Sequence, residues 1–338
     1  MQDSFFMQQA IDEALKADPN KVYPNPLVGC VIVKNQKIIG RGYHKQFGTN
    51  HAEVNAIESL SQPVKNADLY VTLEPCAHFG KSPPCVNAII KSKMFKKVII
   101  AVADPNKKAM GGINELQNAG IEVVIGDCEL QAKRINQRFF TFFQKKRPFV
   151  IIKFARTNDG FIAHLDGSSK WITEEDARSD VHLTRSGCDA ILVGRNTIEI
   201  DNPSLDSHGL GKDPRIVILA SKLQLDSFKV SNKAPLIFGK KLKKKSLENN
   251  IKIILDNLFQ ENVQSLLVEG GEKTITSFIN SGYYDEIHEY ISPKKFKSGI
   301  PFFSGGDFND VRSSLELVSE TLFKSDIKKV YRKKCLQD

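Results

Sequence analysis

The chain has 338 residues, 48 Lys+Arg against 39 Asp+Glu, six cysteines, and 41% hydrophobic and 26% charged residues; that length suggests two domains, and the composition leaves collagen, coiled-coil and disordered readings without support. No apolar run approaches the roughly 18 residues of a membrane span, the opening MQDSFFMQQAIDEAL lacks the parts of a signal peptide, and the cysteines are too scattered for a disulfide framework, so a soluble cytoplasmic protein with reduced thiols is expected. The formal charge of +9 divides unevenly, with 20 basic and 13 acidic residues in 1–147 against 28 and 26 in 148–338, an excess that suits phosphorylated small molecules as well as RNA.

Residues 4–17 predict an amphipathic helix, with Phe6, Ala10, Ile11, Ala14 and Leu15 at helical spacing. VGCVIV (28–33) and KIIGRGY (37–43), parted by a Lys-Asn-Gln turn, read as a hairpin. A helix from about 52, a strand at 68–73, a helix after Pro84, a strand at 97–103, a helix near 112–119, a strand at 121–125 and one long helix from about 129 follow. Pro148 stops that helix before the strand FVIIKFA, which sets the domains at 1–147 and 148–338. The second series has strands near 189–193, 215–219, 235–238, 251–255, 265–268 and 284–291, and 313–334 reads as two antiparallel strands. KKLKKK (240–245) reads as a solvated loop. Alternating strands and helices predict an α/β protein with sheets covered on both faces.

Three residues carry the first chemistry. His51 falls where the second helix starts, Cys76 follows a strand, and Cys85 lies nine positions later at another helix start. Such a set, from two helix N-termini, suits a catalytic Zn²⁺ whose fourth position stays open for water, and the dipoles and metal favour both cysteines as thiolates. Glu53, free of ligand duty, takes a proton from the water and passes it to a departing amino group. His-x-Glu with Pro-Cys matches the zinc-deaminase signature, although the second cysteine is more distant than in Cys-x-x-Cys. The insertion in PCAHFGKSPPC carries His78 and Lys81 on a Gly/Pro-stiffened loop. Lys81 suits a phosphate or ribose hydroxyl, an ordinary exposed lysine being the plain alternative.

PNPLVGCVIV (24–33), HAE (51–53), LEPCAHFGKSPPC (73–85) and ADPN (103–106) resemble the deaminase half of the bifunctional riboflavin-biosynthesis deaminase/reductases. KFARTNDG (153–160), SSKWIT (168–173), DAILVGRNTIEIDNPSL (189–205) and VEGG (268–271) resemble their reductase half. The resemblance implies a cytidine-deaminase-like three-layer α/β domain followed by a dihydrofolate-reductase-like α/β domain. It further implies hydrolytic deamination of a phosphoribosylated diaminopyrimidine, then NADPH-dependent reduction of the ribosyl group to ribityl. Asn25, His44, His78, Lys81, Asp104 and Asn106 would surround the deaminase substrate. Ala155, Trp171, Thr197, Asp201, Ser221 and Gly271 would meet NADPH, and Ser169, Arg185, Leu205 and Glu269 the second substrate.

Lys153 and Asp159 flank a strand end and are the candidates for orienting the substrate near C1′ and for its polar support, against the alternative of a surface lysine and a turn aspartate. Gly270 and Gly271 between a strand and a helix give a pyrophosphate access to backbone N–H groups, against a mere tight turn. Two positions depart from the family. His208 stands where DNPxLxxR ends in arginine, which leaves a phosphate contact to His208, Lys212 or Arg215, and Arg156 stands where a small or apolar residue is usual. Competing readings are a deaminase with an inactive reductase half, and a nucleic-acid deaminase. The latter expects Cys-x-x-Cys and a basic second domain, and the sequence has neither. The expected partner is therefore a phosphorylated pyrimidine, without nucleic acid or membrane; a homo-oligomer is compatible with the sequence, which does not fix the oligomeric state.

Overall fold

The computed structural model describes residues 2–169, 171–239, 242 and 247–334. Cys335 and all of KKLKKK except Leu242 lie outside these. The chain divides into two compact units, Met1–Lys145 and Lys146–Asp338.

The first unit runs α1 (Gln2–Ala14), α2 (Pro19–Val22), β1 (Gly29–Lys34), β2 (Lys37–Tyr43), α3 (Ala52–Glu58), β3 (Ala67–Val71), α4 (Cys85–Ser92), β4 (Phe95–Ile100), α5 (Gly112–Asn118), β5 (Glu122–Ile125), α6 (Glu129–Ile135) and α7 (Gln137–Lys145). Its sheet has the order β2-β1-β3-β4-β5, antiparallel at β1 and parallel from β3 onward. Strand alternation sorts the core. Cys30 and Ile32 join α3–α5 residues such as Ala56, Ile89 and Leu116 in one cluster. Val31 and Val33 join Phe6 and Ala10 of α1, Ala132 of α6 and Phe139 of α7 in another. Both faces are thus covered, giving three layers. Helices lie close where the sheet has glycine: a Cβ at Gly29 would stand 2.0 Å from Ala10 O, and one at Gly42 2.3 Å from Ala56 N. Leu15, expected on the buried face of the first helix, lies beyond its end and is exposed.

The long helix expected from 129 is two helices. Asn136 ends α6 with φ −123° and turns its side chain to the backbone of Leu27, accepting from Leu27 N (2.8 Å) and donating to Leu27 O (2.8 Å). This satisfies two backbone groups far away in sequence, which an apolar-periodicity reading cannot register.

The second unit comprises β6 (Phe149–Thr157), β7 (Phe161–Ala163), α8 (Glu175–Ser186), β8 (Ala190–Gly194), α9 (Arg195–Asp201), β9 (Arg215–Leu219), β10 (Leu236–Phe238), α10 (Leu247–Gln260), β11 (Ser265–Glu269), α11 (Glu272–Ser281), β12 (Glu286–Ser292), β13 (Ile300–Pro301), α12 (Phe308–Ser313), β14 (Leu315–Phe323) and β15 (Asp326–Lys333). The main sheet has the order β10-β9-β8-β11-β6-β12-β15-β14. It is parallel from β10 through β12 and antiparallel at β15 and β14. The stretch 251–255, expected as a strand, lies inside α10. Ile251, Ile254, Leu255 and Leu258 fall at i, i+3, i+4 and i+7 and pack on Val150, Leu192 and Leu266, so helical periodicity overrides the β-propensity of the isoleucines.

Candidate functional site

In the first unit, His51 caps α3, Cys85 opens α4 and Cys76 sits on the loop after β3. Two of the three ligand candidates therefore come from helix starts, and Cys76 from a loop. Their ligand atoms lie within 4.8 Å of one another, the one group of three metal-capable side chains found among the described residues. His51 Nδ1 is 3.2 Å from Cys85 Sγ and 3.6 Å from Cys76 Sγ, and Cys85 N–H donates to Cys76 Sγ at 3.4 Å. The Cys85 thiol and His51 bring Cys76 down to about 4 against the cost of burial. The same pairing, with burial, holds Cys85 well up. A soft His/Cys/Cys set, with both cysteines buried and His51 half-buried, fits zinc.

Glu53, in the first turn of α3, is 3% exposed. Burial raises its pKa, with His51 pulling the other way, and Oε2 has no hydrogen-bond partner among the described residues. A buried carboxyl atom without a partner is costly unless something else occupies the site.

A cleft of about 130 Å³ opens on this group, lined by His51, Glu53 and Cys76 and by the expected Asn25, His44, His78, Asp104 and Asn106. His44 is buried, which lowers its pKa. Its Nδ1 faces Asn50 O at 3.1 Å. A carbonyl only accepts, so Nδ1 carries the proton and Nε2 accepts from Asn25 Nδ2 at 3.2 Å. Asn25 keeps Oδ1 and one N–H for a ligand. Burial pushes Asp104 up to about 7 although Asn106 N–H donates to it. Lys81 is not among the lining residues; it is exposed, with Nζ 4.3 Å from the Phe47 ring centroid.

Sequence reasoning missed Glu74. This buried carboxylate lines the cleft and accepts from Asp104 N (3.1 Å), Gly111 N (2.9 Å) and Ile113 N (3.2 Å). An acid between a strand and Pro-Cys was the available signal. It missed Phe139 as well, an α7 side chain on the cleft wall.

In the second unit, Lys153, Arg185 and Glu269 come together. Glu269 neighbours Lys153 in strand register, with Lys153 Nζ 3.7 Å from Glu269 Oε2. Arg185 Nε and Nη2 hold both carboxylate oxygens at 2.8 and 2.9 Å. Burial pushes Glu269 up, yet Arg185 and Lys153 outweigh it and bring it to about 2. Burial lowers the pKa of Lys153 more than Glu269 raises it. Asp159 stands apart from this group. It is exposed, and its carboxylate ties Thr157 Oγ1 (2.5 Å) to the N–H groups of Phe296 (3.2 Å) and Lys297 (2.8 Å).

Ser221, Thr197 with Asp201, and Gly271 follow the carboxyl ends of β9, β8 and β11, three adjacent parallel strands, and Ala155 lies near the end of β6 beside them. Gly271 caps α11 in extended conformation, and a Cβ there would meet nothing within 4 Å. Trp171 is 61% exposed, with the Arg178 guanidinium 4.2 Å from its ring centroid and its carbonyl accepting from Lys294 Nζ at 2.6 Å. Ser169 is half-buried nearby in sequence. Leu205 is 2% exposed and packed with Val193, Ile198 and Ile216, which leaves its backbone for any ligand contact. His208 Nε2 lies 3.2 Å from Asp206 Oδ1, and its ring is 3.9 Å from that of His182, a residue the sequence reading did not single out. Arg215 is engaged by Glu261 at 3.1 Å. Arg156 is met by Glu289, Nε to Oε1 2.7 Å.

Residues 1–102 match the cytidine and deoxycytidylate deaminase zinc-binding region, and residues 148–329 match the RibD C-terminal domain. The chain is 42% identical over 318 residues to the riboflavin biosynthesis protein RibD of Aquifex aeolicus, covering 88% of this chain and 89% of that one. It is 31% identical over 326 residues to RibD of Escherichia coli, covering 87% and 88%. Among solved structures, a diaminohydroxyphosphoribosylaminopyrimidine deaminase/5-amino-6-(5-phosphoribosylamino)uracil reductase from Thermotoga maritima superposes with a TM-score of 0.81 at 37% identity, covering 98% of this chain and 99% of the other. Acinetobacter baumannii RibD superposes with a TM-score of 0.83 at 32% identity, with the same coverage.

Proposed function

The chain belongs to the RibD family, bifunctional enzymes of riboflavin biosynthesis that join a zinc-dependent deaminase to an NADPH-dependent reductase, and from that premise we propose which of its residues perform each step. The family and the matched reductase domain do not favour a nucleic-acid deaminase. No helix among the described residues is long and apolar enough to cross a membrane. Our finer assignment is a cytoplasmic enzyme acting on a small phosphorylated pyrimidine.

In the first unit His51, Cys76 and Cys85 hold zinc, which supplies the Lewis acidity that activates water near neutral pH. The observation that carries the assignment is the partnerless, buried Oε2 of Glu53 beside the three converging ligand atoms. Glu53 holds the proton that the attacking water gives up and delivers it to the departing amino nitrogen, a transfer that burial of the carboxyl favours. Asn25, His44, His78, Asp104 and Asn106 present donors and acceptors to the pyrimidine, and Lys81 meets the ribose phosphate. The test is Glu53→Gln, expected to retain zinc and to slow ammonia release by about 10² to 10⁴. Near-normal release from the zinc-loaded variant would remove Glu53 from this role.

In the second unit NADPH supplies the hydride. Gly271 leaves room for the pyrophosphate at the start of α11, and Ala155, Trp171, Thr197, Asp201 and Ser221 complete the cofactor side. Lys153 orients the substrate near C1′, while Glu269, fixed by Arg185, receives the substrate hydroxyls. Ser169, the Leu205 backbone and His208 bound the substrate side. Asp159 supports this site through the turn it ties to residues 296 and 297.

A further inference from the structure

The deaminase site does not end where its zinc-binding signature ends. That signature matches residues 1–102, yet the wall of the cleft that carries Asn25 is held from residue 136. Asn25, Pro26 and Val28 line the cleft, and Leu27 in their midst has its N–H and its carbonyl both taken by the one amide of Asn136 at 2.8 Å. Asn136 is 6% exposed and projects from the break between α6 and α7. One turn on, Phe139 completes the wall.

From Asn136 a polar chain runs to the ligand side of the cleft. Asn136 fixes Leu27. Two residues before it, Asn25 is tied by its own N–H to Val22 O at 3.0 Å and by its amide to His44 Nε2 at 3.2 Å. His44 is fixed in turn by Asn50 O. The amide of Asn25 therefore points into the cleft in one orientation, with both ends of its segment secured. Holding a reading group this way lowers the ordering cost of binding without touching the bond-breaking step.

We propose that Asn136 is a positioning residue for the deaminase reaction, acting on substrate recognition through the Leu27 backbone and Asn25. The proposal rests on the assignment of the cleft as the substrate site.

The full-length, zinc-loaded enzyme tests it by a double-mutant cycle of Asn136→Leu and Asn25→Ala, with ammonia release, zinc content and NADPH oxidation of already deaminated substrate followed in each. Asn136→Leu is expected to raise KM for deamination about tenfold, the factor that about 1.4 kcal/mol of lost positioning produces. Its kcat, zinc and NADPH oxidation should stay near those of the parent. In the Asn25→Ala background the same substitution should add little, because its route to the substrate is gone. Asn136→Asp keeps the acceptor for Leu27 N–H but not the donor for Leu27 O; it should fall between the two, and it carries the test if Asn136→Leu does not fold. An unchanged KM, fully additive effects, or a fall in kcat that follows loss of zinc would overturn the proposal and leave Asn136 a structural pin. If Asn25→Ala alone left KM unchanged, the cleft assignment would be wrong, and the proposal would fall with it.

Discussion

Arg156→Met should destabilise the second unit while sparing deamination. Glu289, on β12, is fully buried, and its carboxylate is held by Arg156 Nε at 2.7 Å and by Arg312 Nη2 at 3.4 Å. Methionine keeps much of the aliphatic stem but removes the closer of two countercharges, together with the guanidinium that lies 5.7 Å from the Phe302 ring centroid. Breaking a buried pair costs about 3–5 kcal/mol, because an uncompensated charge remains in a low-dielectric interior. Arg312 still faces Glu289, so the lower end, about 3 kcal/mol, is expected. For a domain of this size that is a fall in melting temperature of about 6–12 °C. Thermal unfolding of the full chain, followed with NADPH oxidation, reads it. Replacing both partners, Arg156→Met with Glu289→Leu, should restore most of the loss, since a well-packed apolar pair avoids the desolvation of two charges. A single variant melting within about 2 °C of the parent, under about 1 kcal/mol, or a double variant no better than the single, would refute the view that Glu289 is why this chain tolerates an arginine here.

Cys85→Ser should bring zinc content to background, and full retention would discard it as a ligand. Lys153→Ala should release ammonia at the normal rate and lose NADPH oxidation, whereas Glu53→Gln should oxidise NADPH normally when given deaminated substrate; simultaneous loss of both activities in either folded variant would contradict separate sites. Burial raises the pKa of Glu286, but His288 and Arg332 outweigh it and hold it at about 2. The folded value is thus depressed, so its stabilisation is fully present above the ordinary carboxylate value and is lost as pH falls toward 2. Urea midpoints measured from pH 5 downward (~5 to ~2.5, the window this linkage sets) should fall less steeply for Glu286→Gln than for the parent.

The convergence of His51, Cys76 and Cys85 was legible because these residues declare themselves locally: His51 and Glu53 share one helix start, and the Pro-Cys elements bracket one loop. The apolar run VGCVIV likewise read as a strand, and the alternation of strands with helices foretold sheets covered on both faces. Glu74 and Asn136 escaped notice for the opposite reason. Each binds backbone groups 30 to 39 and 109 residues away respectively, and such partners leave no periodic trace. In 251–255 the isoleucines spoke for a strand, while the spacing that continues to Leu258 carried the helix. Arg156 looked anomalous in its own strand; only the neighbouring strand, with Glu289, explains it.

Trp171 is the one tryptophan in 338 residues, and it stands largely in solvent beneath a guanidinium on the segment assigned to the cofactor. The enzyme is therefore optically partitioned. Light that excites indole selectively addresses the second unit, while the first, whose aromatic rings are phenylalanine and tyrosine, stays dark. Reduced nicotinamide absorbs where indole emits, so energy transfer from Trp171 would follow cofactor arrival, and its disappearance would follow oxidation, within a polypeptide whose other catalytic half contributes no signal.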